Sequence, residues 1–312
     1  MAHPRRFRFG VEMQGPFEGR SWADSARELE SLGYSTLFVP DHFHEGYGPI
    51  TAMATAAMAT STLLVGSMVF DCDFRHPAVL ARELASIDLL SEGRVEVGLG
   101  AGWKRADYER SGIAMDPPKV RVDRMIEHTV LLKALFAEGP VSFAGEHYQI
   151  SDLEGTPKPH RVGGPPIIVA GGGRRVLRFA AATADIVGIN PSIHSGVADV
   201  ASARDALPSS IDEKLSWVRE AAGDRLDELE FTAWTAVAAV TTNPSVLVSR
   251  LSERFAAPAE DVLSSPIVLV GSESEIIERL HARRERWGYS YIVLQGDKVH
   301  EFAPIVARVS GM

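Results

Sequence analysis

Apolar residues along this chain recur in two rhythms. Short β-branched runs alternate with stretches whose apolar positions return at helical spacing. Runs at residues 7–11, 36–39, 63–69 and 95–99 predict four strands. Between them, residues 22–32, 49–60 and 77–90 predict helices, with Ser21 placed to cap the first and Pro77 to open the third. Successive strand centres lie about 30 residues apart, the size of one βα unit. Beyond residue 100 the rhythm stretches. Residues 120–136 predict a long helix, and residues 141–150 alternate like a small hairpin outside the main pattern. Strands follow at 167–170, 186–189, 231–240 and 291–294, with helices at 174–182, 211–222, 244–255 and 272–287; residues 298–309 follow the last strand.

Eight strands interleaved with helices predict an α/β fold, a (β/α)8 or TIM barrel, as a single domain over residues 1–312. The alternative is an open doubly wound sheet. That fold would place G-x-G-x-x-G after the first strand, and none stands there. Residues 190–228 make a polar excursion too long for a plain connection. They are expected to form an insertion or lid over the C-terminal face of the barrel.

Composition narrows the function classes. The 312 residues are 45% hydrophobic and 23% charged, which fits a globular chain with a large core. A net charge of −9 disfavours nucleic acid as a partner. The single cysteine, Cys72, excludes an intrachain disulfide and any multi-cysteine metal site. It fits a reducing compartment, so a cytoplasmic location is expected. No apolar run approaches the ~20 residues of a membrane span. The basic start, residues 1–6, runs on into Arg8, Glu12 and Gln14 rather than an apolar stretch, so no targeting segment is expected.

A barrel carries its chemistry at the C-terminal ends of its strands. After the second strand stand Asp41, His42 and Phe43. A histidine exchanges protons near neutral pH and a neighbouring carboxylate can orient it; Asp41 could equally cap a turn. His44 admits a metal reading, but no ligand cluster recurs to complete it, so no metal is expected. After the third strand, Phe70 and Phe74 either line an apolar pocket or pack the barrel top, and Cys72 is a candidate oxidisable thiol. After the fourth, Gly100, Ala101 and Gly102 either admit a ligand close to the backbone or form a tight turn under Trp103. After the fifth, Gly171, Gly172, Gly173, Arg174 and Arg175 run into a helix, the composition of a phosphate cradle or of a flexible turn.

Taken with the stretches at 9–12 (FGVE), 39–43 (VPDHF), 73–77 (DFRHP), 93–103 (GRVEVGLGAGW), 145–148 (GEHY) and 170–175 (AGGGRR), the chain resembles the luciferase-like monooxygenase superfamily. Within it, the chain resembles the branch that uses the deazaflavin coenzyme F420. The resemblance implies a barrel with an insertion over its mouth, in a homodimer, acting on a small-molecule substrate without membrane or nucleic acid. It implies catalytic roles for His42 and Asp41, with Asp41 orienting His42 and contacting the cofactor ring. Ser67, Met68 and Val69 match a bulged strand with a cis peptide behind the ring. Gly100, Ala101, Gly102, Gly171, Gly172, Gly173 and Arg174 match the cradle for the cofactor's side chain and phosphate. Phe70, Cys72 and Trp103 would line the substrate pocket. FMN-using relatives more often carry Glu-His-His at residues 41–43, so Asp41 points to the deazaflavin. Sugar-phosphate dehydrogenases of the branch carry Glu where Trp103 stands. The expected reaction is therefore hydride transfer to or from a flatter, apolar substrate, most simply reduction of an activated C=C or C=N bond. An FMN-dependent monooxygenase is the alternative, and a non-catalytic flavin-binding barrel a lesser one.

Overall fold

The computed structural model describes residues 5–43, 46–193 and 196–312. The chain opens with β1 (Arg8–Glu12), α1 (Trp22–Ser31), β2 (Thr36–Phe38), α2 (Pro49–Ala59), β3 (Leu64–Asp71), α3 (Pro77–Leu90) and β4 (Val95–Gly100). Two helices follow, α4 (Arg105–Ser111) and α5 (Pro118–Phe136), then a hairpin of β5 (Val141–Ala144) and β6 (Gln149–Leu153). The alternation resumes with β7 (Ile167–Gly171), α6 (Arg174–Thr183), β8 (Ile186–Ile189), α7 (Val200–Arg204) and α8 (Pro208–Ala222). It closes with β9 (Glu230–Trp234), β10 (Val237–Val240), α9 (Ser245–Phe255), α10 (Ala259–Ser264), β11 (Val268–Gly271), α11 (Glu273–Trp287), β12 (Tyr289–Gln295) and α12 (Val299–Val309). Eight strands form a closed barrel in the order β1-β12-β9-β8-β7-β4-β3-β2. The expected barrel is the fold. Among the described residues no helix is long and apolar enough to cross a membrane.

The chain divides into two compact bodies. One holds Met13–Glu30 and Thr36–Ile168; the other holds Met1–Glu12, Ser31–Ser35 and Val169–Met312. In the first, α3 packs on α5, and β3 on β4. Its interior is apolar, with Leu80, Leu84, Val97, Leu99, Met125 and Leu132 all but inaccessible. Helix starts follow the sequence signals. The Asp24 N–H donates to Ser21 Oγ at 3.1 Å at the head of α1. Pro77 opens α3, and His76 caps it by accepting the Ala78 N–H at 3.2 Å. Arg94 clamps the strand entry, donating to the carbonyls of Ala57 (2.7 Å), Leu63 (2.9 Å) and Ser91 (2.9 Å).

In the second body the stretch expected as one strand at 231–240 divides. The Thr235 N–H still bonds the Val293 carbonyl, but the Ala236 N–H turns to Ile267. Beyond that switch β10 pairs with β11 in a separate two-stranded parallel sheet. The excursion at 190–228 is helical over much of its described length. Its main element, α8, packs on α6 and buries Ile211, Leu215 and Val218 completely. Lys214 is buried in the same helix and donates to Asn190 O (3.0 Å), Asp205 O (2.8 Å) and Asp205 Oδ2 (2.6 Å). An ammonium has three protons, so this one is fully engaged and ties the preceding chain to the helix. His194 and Ser195 lie outside the described residues.

Candidate functional site

The first body carries a dense polar cluster at the ends of β2, β3 and β4. His42 is half-buried just beyond β2. Its Nδ1 lies 2.6 Å from Asp107 Oδ2, a buried carboxylate on α4. The Phe43 N–H also reaches Asp107 Oδ1, at 3.4 Å. A carboxylate at Nδ1 fixes the ring and its tautomer, and assigns proton exchange to Nε2. The Trp103 ring meets the imidazole edge-on, with centroids 5.9 Å apart. Asp41 does something else. Its Oδ2 accepts from the Arg75 guanidinium at 2.5 Å and from the Asp71 N–H at 3.1 Å, so it braces the turn after β3. The expectation that Asp41 orients His42 is corrected. The orienting carboxylate is Asp107, which sequence reading missed because α4 is too short to show a periodicity. His44 lies outside the described residues.

β3 is bulged between Ser67 and Phe70 against β4, and the Met68–Val69 peptide is cis. Met68 and Val69 are half-buried, while Ser67 and Phe70 are inaccessible. The Ser67 hydroxyl donates to Val39 O at 2.7 Å, so Ser67 ties β2 to β3 and has no side-chain atom to offer a ligand. Phe70 and Cys72 are likewise corrected as pocket residues: both are buried, and burial pushes the Cys72 thiol well above its usual range. Trp103 and Phe43 are the exposed aromatics here, at 37% and 52%.

The glycines after β4 make room for protein atoms. A Cβ on Gly100 would lie 2.5 Å from a Val69 methyl. One on Gly102 would lie 1.9 Å from the Tyr108 hydroxyl and 2.5 Å from Asp71 Oδ2, at a φ of +69°. Arg121 fixes this turn by donating to the carbonyls of Ala101, at 2.7 Å, and Gly102. Beneath it, Tyr108 Oη lies 2.9 Å from Asp71 Oδ2 and 2.8 Å from Asp73 Oδ2. Asp73 in turn accepts from Arg124 at 2.5 Å, and Arg124 also pairs with Asp116. Burial pushes the Asp71 carboxyl up to about 7, with like charge from Asp73 and Asp41 adding to it.

The motif at 145–148 is structural. The N–H groups of Glu146 and His147 donate to the Glu127 carboxylate at 2.8 and 2.9 Å, which docks the hairpin turn on α5.

The second body holds two further candidate features. Glu12 ends β1, and burial raises its carboxyl to about 7 against an opposing contribution from Trp234. Glu12 closes the FGVE stretch, and a carboxylate at the C-terminal end of a barrel strand is the sequence signal for it. At the start of α6, Gly171 leaves room for Val176, and Gly172 for the backbone of residues 190–192. Gly173 alone faces open space, and it precedes the helix with no side-chain cap. Arg174 is exposed, 3.8 Å from Glu220.

A family profile described as luciferase-like monooxygenase matches residues 6–291. An F420-dependent glucose-6-phosphate dehydrogenase of Amycolatopsis mediterranei (strain U-32) is 30% identical over 187 residues, 57% of this chain and 55% of the relative. The chain thus aligns with only about half the length of that relative. An enzyme of the same name from Intrasporangium calvum is 25% identical over 310 residues, covering 91% of this chain and 90% of the relative. Among solved structures, the coenzyme F420-dependent tetrahydromethanopterin reductase of Methanopyrus kandleri superposes with a TM-score of 0.76 at 16% identity, covering 98% of this chain and 99% of that one. At that identity the likeness speaks for the fold alone.

Proposed function

Because this chain belongs to the luciferase-like monooxygenase family, we propose that it is an oxidoreductase that works with coenzyme F420 and exchanges a hydride with a small apolar substrate. The observation that carries the reading is the His42–Asp107 pair at 2.6 Å, half-open at a strand end beside Trp103. The names of the two relatives support the choice of cofactor. Aspartate at residue 41 does so as well.

The residues present fit such a group. Met68 and Val69 stay partly open on the bulge between buried neighbours, which suits one face of a flat ring. In the other body, and taken by itself, the start of α6 at Gly173 has no side-chain cap and suits an anion. When bound, the deazaflavin supplies a ring carbon that gives or takes a hydride. His42 Nε2 then moves the matching proton on the substrate, and Asp107 holds the imidazole for that task. Trp103 and Phe43 cover the exchange with apolar surface and exclude water. An indole at residue 103 favours an activated alkene or imine over a sugar phosphate.

Separate fluorescence titrations with coenzyme F420 and FMN test this reading. Tight deazaflavin binding with weak FMN binding is the expected result. Preferential FMN binding with oxygen-dependent turnover would instead place the chain with the oxygen-using members that give the family its name.

A further inference from the structure

The phenol of Tyr108 supplies one hydrogen, yet two carboxyl oxygens, Asp71 Oδ2 and Asp73 Oδ2, lie 2.9 and 2.8 Å from it. With both carboxyls ionised, one of these contacts would set two oxygens together with no hydrogen between them, around a side chain that is 1% exposed. A second hydrogen is required. Asp73 is the wrong place for it, because Arg124 donates to that carboxyl at 2.5 Å and favours its ionised form. Asp71 has no cation against its carboxyl among the described residues. Its Oδ1 accepts the Asp73 N–H at 2.9 Å, which leaves Oδ2 to carry the hydrogen.

We propose that Asp71 is a positioning residue that keeps a proton in the folded protein, donates it to Tyr108, and thereby holds α4 where Asp107 meets His42. This inference rests on the role given to His42 above. The chain of donors runs from Asp71 to Tyr108 to Asp73. Tyr108 directly follows Asp107, and α4 has no side-chain N-cap at Lys104. The phenol is thus the buried anchor of a helix only seven residues long.

The groups facing Asp71 come from every neighbouring element. Those that act on it are Asp41 beyond β2, Cys72 and Asp73 beyond β3, and Tyr108 on α4. The arginines of the cluster, Arg75, Arg121 and Arg124, are held by Asp41, by the Ala101 and Gly102 carbonyls, and by Asp73 and Asp116. Burial and the charges of Asp73 and Asp41 favour the neutral Asp71 up to about pH 7. Once that proton leaves, two carboxylates compete for one phenol hydrogen and the anchor of α4 loosens.

The test uses the protein without cofactor, so failure of cofactor binding would leave its outcome unchanged. Asp71→Asn copies the protonated carboxyl: its amide NH2 donates to Tyr108 and its oxygen accepts from Asp73. The readout is the downfield proton resonance of His42 Nδ1–H bonded to Asp107, followed by NMR from pH 6 to pH 8.5. In the wild type the signal is expected to lose most of its intensity across neutrality. In Asp71→Asn it persists to the alkaline end, and in Tyr108→Phe it is weak throughout. Of the protonated-carboxyl infrared stretches present in the wild type at pH 6, the one from Asp71 is lost in Asp71→Asn, while that of Glu12 remains and is removed separately by Glu12→Gln. Identical pH dependence in wild type and Asp71→Asn, or an unchanged carboxyl stretch, overturns the proposal.

Discussion

Trp103 and Asp107 stand four residues apart in the chain and address the same imidazole, one from its edge and one at Nδ1. Their substitutions therefore separate two effects. Asp107→Asn keeps the shape but removes the charge that sets the tautomer, so kcat is expected to fall about 10²-fold with little change in KM. His42→Ala removes the proton carrier and lies at the far end of the same range, about 10²- to 10⁴-fold. If His42→Ala leaves turnover intact on a reducible substrate, the proton-transfer role is wrong. Trp103→Ala removes an apolar wall instead. Its expected loss is in kcat/KM for apolar substrates, roughly 10- to 200-fold, the range for a hydrophobic contact. A loss confined to kcat would show that the indole acts on the imidazole rather than on the substrate.

At the scale of elements, α4 shows why some of the site was hidden. Helices of ten or more residues announce themselves through repeated apolar spacing, as α3 and α5 do. A seven-residue helix makes about two turns, and its placement comes from contacts far along the chain. The one local signal was Gly112, which closes α4 at a φ of 75°. Asp107 and Tyr108 were therefore invisible as a pair, while His42, at the end of a readable strand, was not. The glycines at 100 and 102 were legible as close approaches, but not as to what approaches. Gly102→Ala would drive a methyl into Tyr108 Oη and Asp71 at a left-handed φ. A loss of about 3 kcal/mol or more in denaturant unfolding is expected, from strain and clash together. The helix in the 190–228 excursion carries a second prediction. Lys214→Met would leave the Asp205 carboxylate and two carbonyls without their shared donor. The partial exposure of Asp205 tempers the cost to about 2 kcal/mol. Slow amide exchange through α8, unaltered by cofactor, would mark it as barrel wall; fast exchange would mark it as a lid.

At the scale of the whole molecule, the barrel was readable because strands buried on both faces appear as continuous β-branched runs between amphipathic helices. The division at Thr235 was not, since an apolar run does not record which neighbour its amides turn to. Burial was equally hidden, and with it the two carboxyls that couple stability to pH. Glu12 lies in one body and Asp71 in the other, and burial raises each to about 7 from ordinary values of 4.5 and 3.8. Between those limits the folded chain binds more protons than the unfolded chain, so stability falls as pH rises. The contribution is complete below about pH 4 and gone once pH has passed through about 7. At 1.36 kcal/mol per unit, Glu12 is worth at most about 3 kcal/mol and Asp71 at most about 4 kcal/mol. Asp212, Glu30 and Glu127 act in the opposite sense. Burial works against them, but hydrogen bonds from Trp287 and Arg286, from Ser61 to Leu63, and from the 146–148 turn hold their carboxyls below the usual range. Their stabilisation is lost as pH falls through the acid range. The melting temperature should therefore peak on the acid side of neutrality and decline from pH 5.5 to pH 8. Glu12→Gln and Asp71→Asn should each flatten part of that decline, and the double variant should flatten more of it than either alone. A wild-type profile that rises towards pH 8, or a double variant that keeps the full decline, would show that these carboxyls are already ionised in the folded protein.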